Sequence, residues 1–382
     1  MLMINSVVGR LPGLASGRRL VGRVNPFREH GYLIARPNGP SKRWGQSATA
    51  IAQHHVRVVD VVRETTDAVT LILEDTGSNK ISFRAGQYLT HCFGIGSDIV
   101  KRAYSISTRE GDHLACTIKA VDGGRVSQFV NGNIAVGYEY TVLGPSGDFE
   151  LPADPDANLA FLAAGSGITP VISLIETALH TNPQRSVRLL YGSRRQSEII
   201  FGARLAALEE EYPHFSVFHV LSQPSSGWSG ETGRLTGERV AKLLSPGANT
   251  HVFLCGPADL MDSSSRALRD AGITADRIHS EKFYAAPKHT SAMPTEPQQL
   301  LFQKSGKHAV QKPGETILDA GLRNSVKLDF SCTVGGCAHC KVRVLEGDVT
   351  VDEPNCLTDA EKADGYVLTC SAYANTSAVL DA

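Results

Sequence analysis

The chain has 382 residues, 42% hydrophobic and 20% charged, with a formal net charge of −1. Those values describe an ordinary globular protein of two or three domains, and they give no general case for a nucleic-acid or membrane surface as partner. No apolar stretch approaches the ~18–20 residues that span a bilayer, and the cysteines show no disulfide framework.

Charge is uneven along the chain. Residues 1–52 carry eight Arg/Lys against one acid, Glu29. This start resembles a transit peptide, or equally a flexible or partner-binding extension. Met1-Leu2-Met3-Ile4-Asn5 lack the apolar run of a secretory signal, and the expected location is cytoplasmic. Residues 53–153 read as short alternating strands (55–59, 68–73, 114–119) separated by Gly/Asp/Ser/Asn turns, the spacing of a small antiparallel β-barrel. At 159–164 a continuous apolar run marks a strand buried on both faces, and helical periodicity follows it. Strands at 187–191, 215–221, 251–255 and 277–283 alternate with helices at 198–211, 237–244 and 258–271. Residues 154–284 are therefore expected as a doubly wound parallel α/β domain. A Pro/Ser/Thr-rich linker covers 285–297, and a further domain covers 298–382.

The last domain holds the sharpest motif. Cys332-Thr333-Val334-Gly335-Gly336-Cys337-Ala338-His339-Cys340, with a distant Cys370, has the C-x4-C-x2-C spacing of a plant-type [2Fe–2S] site. One loop can deliver three thiolates only if its backbone curls around the irons, which Gly335 and Gly336 permit. A zinc site is the alternative, but zinc sites usually show two separated Cys/His pairs. A thiolate-held cluster implies a reducing compartment. From residue 341 onward eight acids face three bases, either a docking surface for a partner or a merely solvated face.

An electron carrier needs a donor. In the barrel, Arg102-Ala103-Tyr104-Ser105 offers an aromatic face, a hydroxyl and a cation from one strand, as a flavin would require. Gly123-Gly124-Arg125-Val126-Ser127 opens a helix and leaves amides free for a pyrophosphate. The stretch 83–88 reads as a bend at the barrel edge with a structural role. In the α/β domain, Gly165-Ser166-Gly167-Ile168-Thr169-Pro170 lies between the first buried strand and its helix, where ligands bind. It is not G-x-G-x-x-G. The next strand ends in Ser193-Arg194-Arg195, and Arg there favours a 2′-phosphate, hence NADPH with NADH possible. Cys255-Gly256-Pro257 ends a later strand at the same sheet edge; alone, Cys255 would be a buried small hydrophobe.

Together these motifs resemble the ferredoxin–NADP reductase superfamily. Their order is similar to the reductase components of bacterial multicomponent oxygenases, such as those of phenylacetyl-CoA epoxidase and ketosteroid hydroxylase. The resemblance covers about residues 53–382. It implies a multidomain fold: an FAD-binding antiparallel β-barrel, an NAD(P)-binding α/β domain and an α+β (β-grasp) ferredoxin domain. It further implies that Arg102, Ala103, Tyr104 and Ser105 form the flavin motif. Lys119 lies in a strand contributing to that site, and Gly124, Arg125, Val126 and Ser127 form the pyrophosphate loop. Gly165, Gly167, Thr169 and Pro170 would receive the nicotinamide nucleotide, with Cys255, Gly256 and Pro257 beside it. Glu281 would serve a proton path and Phe283 would cover the flavin, although a sheet-edge acid and a core aromatic are the plain readings of both. Ser105, Cys255 and Glu281 are thus the catalytic candidates, and Cys332, Cys337, Cys340 and Cys370 the metal ligands.

The implied activity carries electrons from NADPH through FAD and the cluster to a separate oxygenase, hydroxylase or desaturase. A monomer is expected, with no nucleic-acid partner and no membrane segment. The alternatives are reverse flow, from reduced ferredoxin to NADP, and a redox-sensing regulatory protein. Two departures stand out: related loops place Arg after the first cysteine and Gly after the second, where this chain has Thr333 and Ala338.

Overall fold

Six strands wrap the first sheet: β1 (Gln53–Thr65), β2 (Ala68–Asp75), β3 (Tyr88–Ile95), β4 (Asp98–Ser105), β5 (Leu114–Lys119) and, after helix α1 (Arg125–Asn133), β6 (Glu139–Ser146). They are ordered β4-β3-β6-β1-β2-β5 and pair antiparallel. A bridge between Ile106, just beyond β4, and Cys116 on β5 joins the two ends of that order. The sheet therefore closes on itself as a barrel. Its interior follows from period-2 alternation: Val56 and Val58 are buried while Arg57 and Val59 are exposed. Leu71, Leu89, Phe93, Ile118 and Val142 fill the rest. The expected bend at 83–88 is present: Gln87 N–H donates to the Arg84 carbonyl, and Gly86 takes φ 84° beneath the Phe149 carbonyl.

This computed structural model describes residues 52–77, 80–247, 249–283, 294–353 and 355–382. The basic extension, apart from residue 52, and most of the expected linker lie outside the described residues, all of which fall in one compact unit.

The second sheet is parallel throughout. Its elements run β7 (Asn158–Ala164), α2 (Ile168–Thr181), β8 (Val187–Ser193), α3 (Gly202–Glu211), β9 (Phe215–Leu221), β10 (Glu231–Thr232), α4 (Gly237–Leu244), β11 (Thr250–Gly256), α5 (Ala258–Asp270) and β12 (Ile278–Lys282). The strand order is β10-β9-β8-β7-β11-β12. The chain winds outward from β7 to one edge, then returns to β11 on the other side. The gap between the ends of β7 and β11 is the topological switch point, where such sheets bind ligands. Both faces are covered: Leu159, Phe161 and Ala163 pack with α2 and α3 residues, and Ala160 and Leu162 pack with α4 and α5 residues. Fully burying each large side chain contributes roughly 1.5–3 kcal/mol. One helix starts later than its periodicity suggests. Phe201 adopts a left-handed backbone (φ 61°) that breaks the run before Gly202, and residues 196–198 form a short 3-10 turn instead.

The C-terminal segment builds a mixed sheet from β13 (Gln298–Phe302), β14 (Lys307–Gln311), β15 (Lys341–Glu346), β17 (Tyr366–Leu368) and β19 (Ala378–Leu380), in the order β14-β13-β19-β15-β17. Strands β13 and β19 are parallel. Helix α6 (Ile317–Arg323), capped by Thr316, buries Ile317, Leu318 and Ala320 against Leu300, Phe302 and Leu328. A two-stranded pair, β16 (Val349–Val351) with β18 (Ala372–Ala374), and helix α7 (Asp359–Ala363) complete this α+β unit. No helix among the described residues is long and apolar enough to cross a membrane.

Candidate functional site

The three catalytic candidates meet where the barrel touches the switch point. Cys255 and Glu281 are register partners on β11 and β12. The Ser105 hydroxyl, at the end of β4, donates to Glu281 Oε2 at 3.4 Å. Burial pushes the Glu281 carboxyl up to about 8, with the Ser105 hydrogen bond opposing. Burial, and then the Glu281 charge, raise the Cys255 thiol well above its ordinary value. Well below pH 8 the Glu281 carboxyl and the Cys255 thiol are therefore both uncharged.

Around this contact the sequence candidates divide. Tyr104 sits edge-on to His91, with ring centroids 5.4 Å apart. Arg102 is half-buried and pairs with no carboxylate among the described residues; its guanidinium donates to the Lys101 carbonyl. The α1 N-terminus has no side-chain cap, so its first amides are open. A half-buried cation and free amides fit the phosphates of a flavin. Val126 and Ser127 are buried in that first turn, while the Arg125 side chain is used elsewhere, donating to Asp98 and the Ile95 carbonyl. Lys119 is also occupied: its ammonium donates to Asp67 Oδ2 at 2.5 Å and lies 3.9 Å from Glu198.

At the switch point, Gly165 takes φ 55°. A Cβ on Gly167 would lie 2.1 Å from the Cys255 carbonyl oxygen, and one on Gly256 3.0 Å from Ala164 Cβ. The two loops thus meet backbone to backbone, as close approach to a nucleotide requires. Thr169 hydrogen-bonds back to the Ser166 carbonyl at 3.0 Å, and Pro170 is buried in the first turn of α2. Pro257 precedes α5. Phe283, just past β12, is 44% exposed.

The two arginines after β8 have different surroundings. Both donate to Glu198, Arg194 Nε at 2.7 Å and Arg195 Nη1 at 3.2 Å. Arg194 also lies 3.7 Å from Asp67. Burial opposes ionisation of Asp67, but Lys119, Thr65 and Arg194 together hold its carboxyl below the ordinary value. Arg195 instead borders a cavity of about 590 Å³ with Gln196, Ser197, Gln223, Pro224 and Ser225. A cation beside two hydroxyls and two amides suits a phosphate.

The four cluster cysteines come together as two pairs. The thiols influence one another most strongly as Cys332 with Cys337 and Cys340 with Cys370. Within each pair one thiol is held low (Cys337, Cys340) and its partner high (Cys332, Cys370), as two sulfurs sharing a proton must be. Backbone amides point at them: Val334 and Gly336 donate to Cys332 Sγ at 3.4 and 3.3 Å, and Cys332 N–H to Cys337 Sγ at 3.4 Å. The loop curls as expected, but of the two glycines only Gly335 takes a left-handed φ (74°); Gly336 does not, and Thr333 and Ala338 supply the other left-handed positions at φ 54° and 59°. Both departures thus occupy left-handed backbone that costs a side-chain-bearing residue roughly 1–2 kcal/mol. Among the described residues no group of three or more His, Cys, Asp or Glu could hold a single metal ion. Four converging sulfurs, with backbone amides donating to Cys332 and Cys337, fit a binuclear cluster.

Sequence reasoning missed several residues here. Asp67 and Glu198 organise the basic side chains, and Asp148 accepts from His339 Nε2 at 3.1 Å. Tyr88 and Thr90 reach the cluster loop across the fold. A carboxylate in a turn or a hydroxyl on a strand has no local signature, so only His339, inside the cysteine motif, could have drawn notice.

Comparison with known proteins agrees in order and extent. Residues 55–151 match the oxidoreductase FAD-binding domain family, 161–266 the oxidoreductase NAD-binding domain, and 302–375 the 2Fe-2S iron-sulfur cluster binding domain. The chain is 33% identical over 344 residues to one of the subunits of 1,2-phenylacetyl-CoA epoxidase from Escherichia coli K12, covering 86% of this chain and 96% of that one. It is 31% identical to the ferredoxin reductase component of 3-ketosteroid-9-alpha-monooxygenase from Rhodococcus rhodochrous, covering 82% and 92%. Among solved structures, phthalate dioxygenase reductase superposes with a TM-score of 0.61 at 24% identity, over 86% of this chain and 98% of that one, a likeness of fold.

Proposed function

From the premise that this chain belongs to the oxygenase reductase family joining FAD-binding, NAD-binding and [2Fe–2S] domains, we propose how its own residues divide the work. The protein is an NAD(P)H-dependent oxidoreductase that carries electrons to a partner oxygenase. When bound, the nucleotide supplies a hydride, FAD converts two-electron into one-electron chemistry, and the cluster carries single electrons.

Tyr104 offers its ring to the flavin, Arg102 binds its phosphate, and the first amides of α1 bind the pyrophosphate that distinguishes FAD from FMN. Gly165, Gly167 and Gly256 let the nicotinamide half approach the backbone at the switch point. There Glu281 holds a proton at physiological pH and the Ser105 hydroxyl hydrogen-bonds to it, so a proton has a path between the two residues. Cys255 stays a neutral thiol. Arg195, with Ser197 and Ser225, receives the 2′-phosphate and favours NADPH over NADH, while Arg194 braces Glu198 against Asp67. Cys332, Cys337, Cys340 and Cys370 would hold the cluster through their thiolates. The protein is read as a cytoplasmic monomer, which cell fractionation and light scattering would check.

The observation that carries this reading is the Ser105–Glu281 hydrogen bond, which brings the barrel motif to the switch point of the α/β sheet. The test is anaerobic reduction of purified protein by NADPH and by NADH, followed in the flavin and cluster absorbance bands. Cys370→Ala should lose iron and cytochrome c reduction while keeping flavin-dependent ferricyanide reduction. Protein that binds neither flavin nor iron, or is bleached by neither nucleotide, would sink the reading.

A further inference from the structure

Resting on the flavin and cluster reading above, we propose that Tyr88 and Thr90 are positioning residues that dock the cluster loop onto the flavin strand and so set the gap an electron must cross. The placement starts in the sheet register. On β3, Tyr88 pairs with Ser105 and Thr90 with Ala103, both members of the flavin motif on β4. Being two residues apart, Tyr88 and Thr90 leave the strand on one face. From that face the Tyr88 hydroxyl bonds Ser331 Oγ at 2.8 Å. Thr90 Oγ1 donates to the carbonyl of Cys332, a cluster ligand, also at 2.8 Å. At the other end of the loop His339 Nε2 donates to Asp148 Oδ2 at 3.1 Å. The loop is therefore gripped at both ends by the barrel.

This seam is dry. Tyr88 is 8% exposed, Thr90 1%, Ser331 1% and Cys332 3%. Breaking a hydrogen bond there leaves a desolvated hydroxyl or carbonyl unpaired, which is far costlier than breaking one at the surface. The ring of Tyr88 also needs the missing side chain of Gly147, where a Cβ would stand 3.1 Å from the ring. The far side of the same loop, at Thr333, Val334, Gly336 and Cys337, is partly exposed. The backbone of Cys332 thus lies against the flavin strand, while the middle of the loop reaches the surface. The step moves one electron from the reduced flavin to the oxidised cluster, and no bond forms or breaks.

The experiment uses full-length holoprotein and two variants of the same contact: Tyr88→Phe/Thr90→Val from the barrel side, and Ser331→Ala from the loop side. Hydrogen exchange of the 331–340 amides is expected to quicken about tenfold in the double variant, from two buried hydrogen bonds lost. In stopped flow, flavin reduction by NADPH should stay within about twofold and cluster reduction should slow by about tenfold. The paramagnetic signature of the reduced cluster should be unaltered, which separates misplacement from damage. Should the double variant fail to bind flavin, Ser331→Ala carries the same test from a site outside the barrel. Exchange and cluster reduction within about twofold of wild type in Ser331→Ala would overturn the docking role, as would faster exchange with cluster reduction unchanged. Wild-type protein lacking flavin or iron would instead refute the cofactor reading and take this proposal with it.

Discussion

Replacing Glu281 with glutamine removes one ionisable group and little else, since the amide is nearly isosteric and can still accept from Ser105. The carboxyl is lifted from an ordinary 4.5 to about 8. At 1.36 kcal/mol per pH unit, ionising it in the folded chain costs up to about 5 kcal/mol more than in water. The sign follows from proton binding. Between 4.5 and 8 the folded chain keeps the proton that the unfolded chain has released, so stability falls as pH rises. Below 4.5 both states are protonated and above 8 both are ionised, so the dependence flattens at each end. The Ser105 hydroxyl does not titrate in that window, and Cys255 and Tyr88, the other groups coupled to Glu281, are pushed up out of it. The wild-type minus Glu281→Gln difference should therefore isolate this one carboxyl. Urea unfolding of both proteins across pH about 4 to 9 should show the wild type losing at most about 1.4 kcal/mol per pH unit relative to the variant, within that window alone. The pH profile of flavin reduction should lose its limb near 8 in the variant. A pH-independent difference, or one that favours the wild type as pH rises, would refute the buried-proton argument.

Two further substitutions probe the nucleotide half. Arg195→Ala should lower kcat/KM for NADPH by roughly 10- to 100-fold, the worth of a charge-assisted phosphate contact, and leave NADH nearly untouched; equal losses with both nucleotides would remove the 2′-phosphate from that cavity. Gly167→Ala places a methyl 2.1 Å from the Cys255 carbonyl oxygen, so the loops at the switch point must part at a cost of about 1–3 kcal/mol. A lower thermal midpoint with weakened nucleotide binding is expected, and wild-type values for both would show that the close approach is dispensable.

What could be read without coordinates was whatever is written in local spacing. Three cysteines within nine residues define a loop that must curl, and its backbone does so at Thr333, Gly335 and Ala338. Alternation and apolar runs located β5, β9 and α4 to the residue, because periodicity is a property of neighbours along the chain. The start of α3 escaped because a left-handed Phe201 has no compositional mark. Residue type also could not separate Arg194 from Arg195, adjacent and chemically identical; both bond Glu198, and only the placement of Asp67 beside Arg194 and of the cavity beside Arg195 tells them apart. The tertiary structure alone decided that the Glu281 carboxyl would be desolvated against Ser105. It alone decided that Tyr88 would meet Ser331, 243 residues away. Burial and long-range pairing are set by which surfaces the whole chain folds together, and no window of sequence contains them.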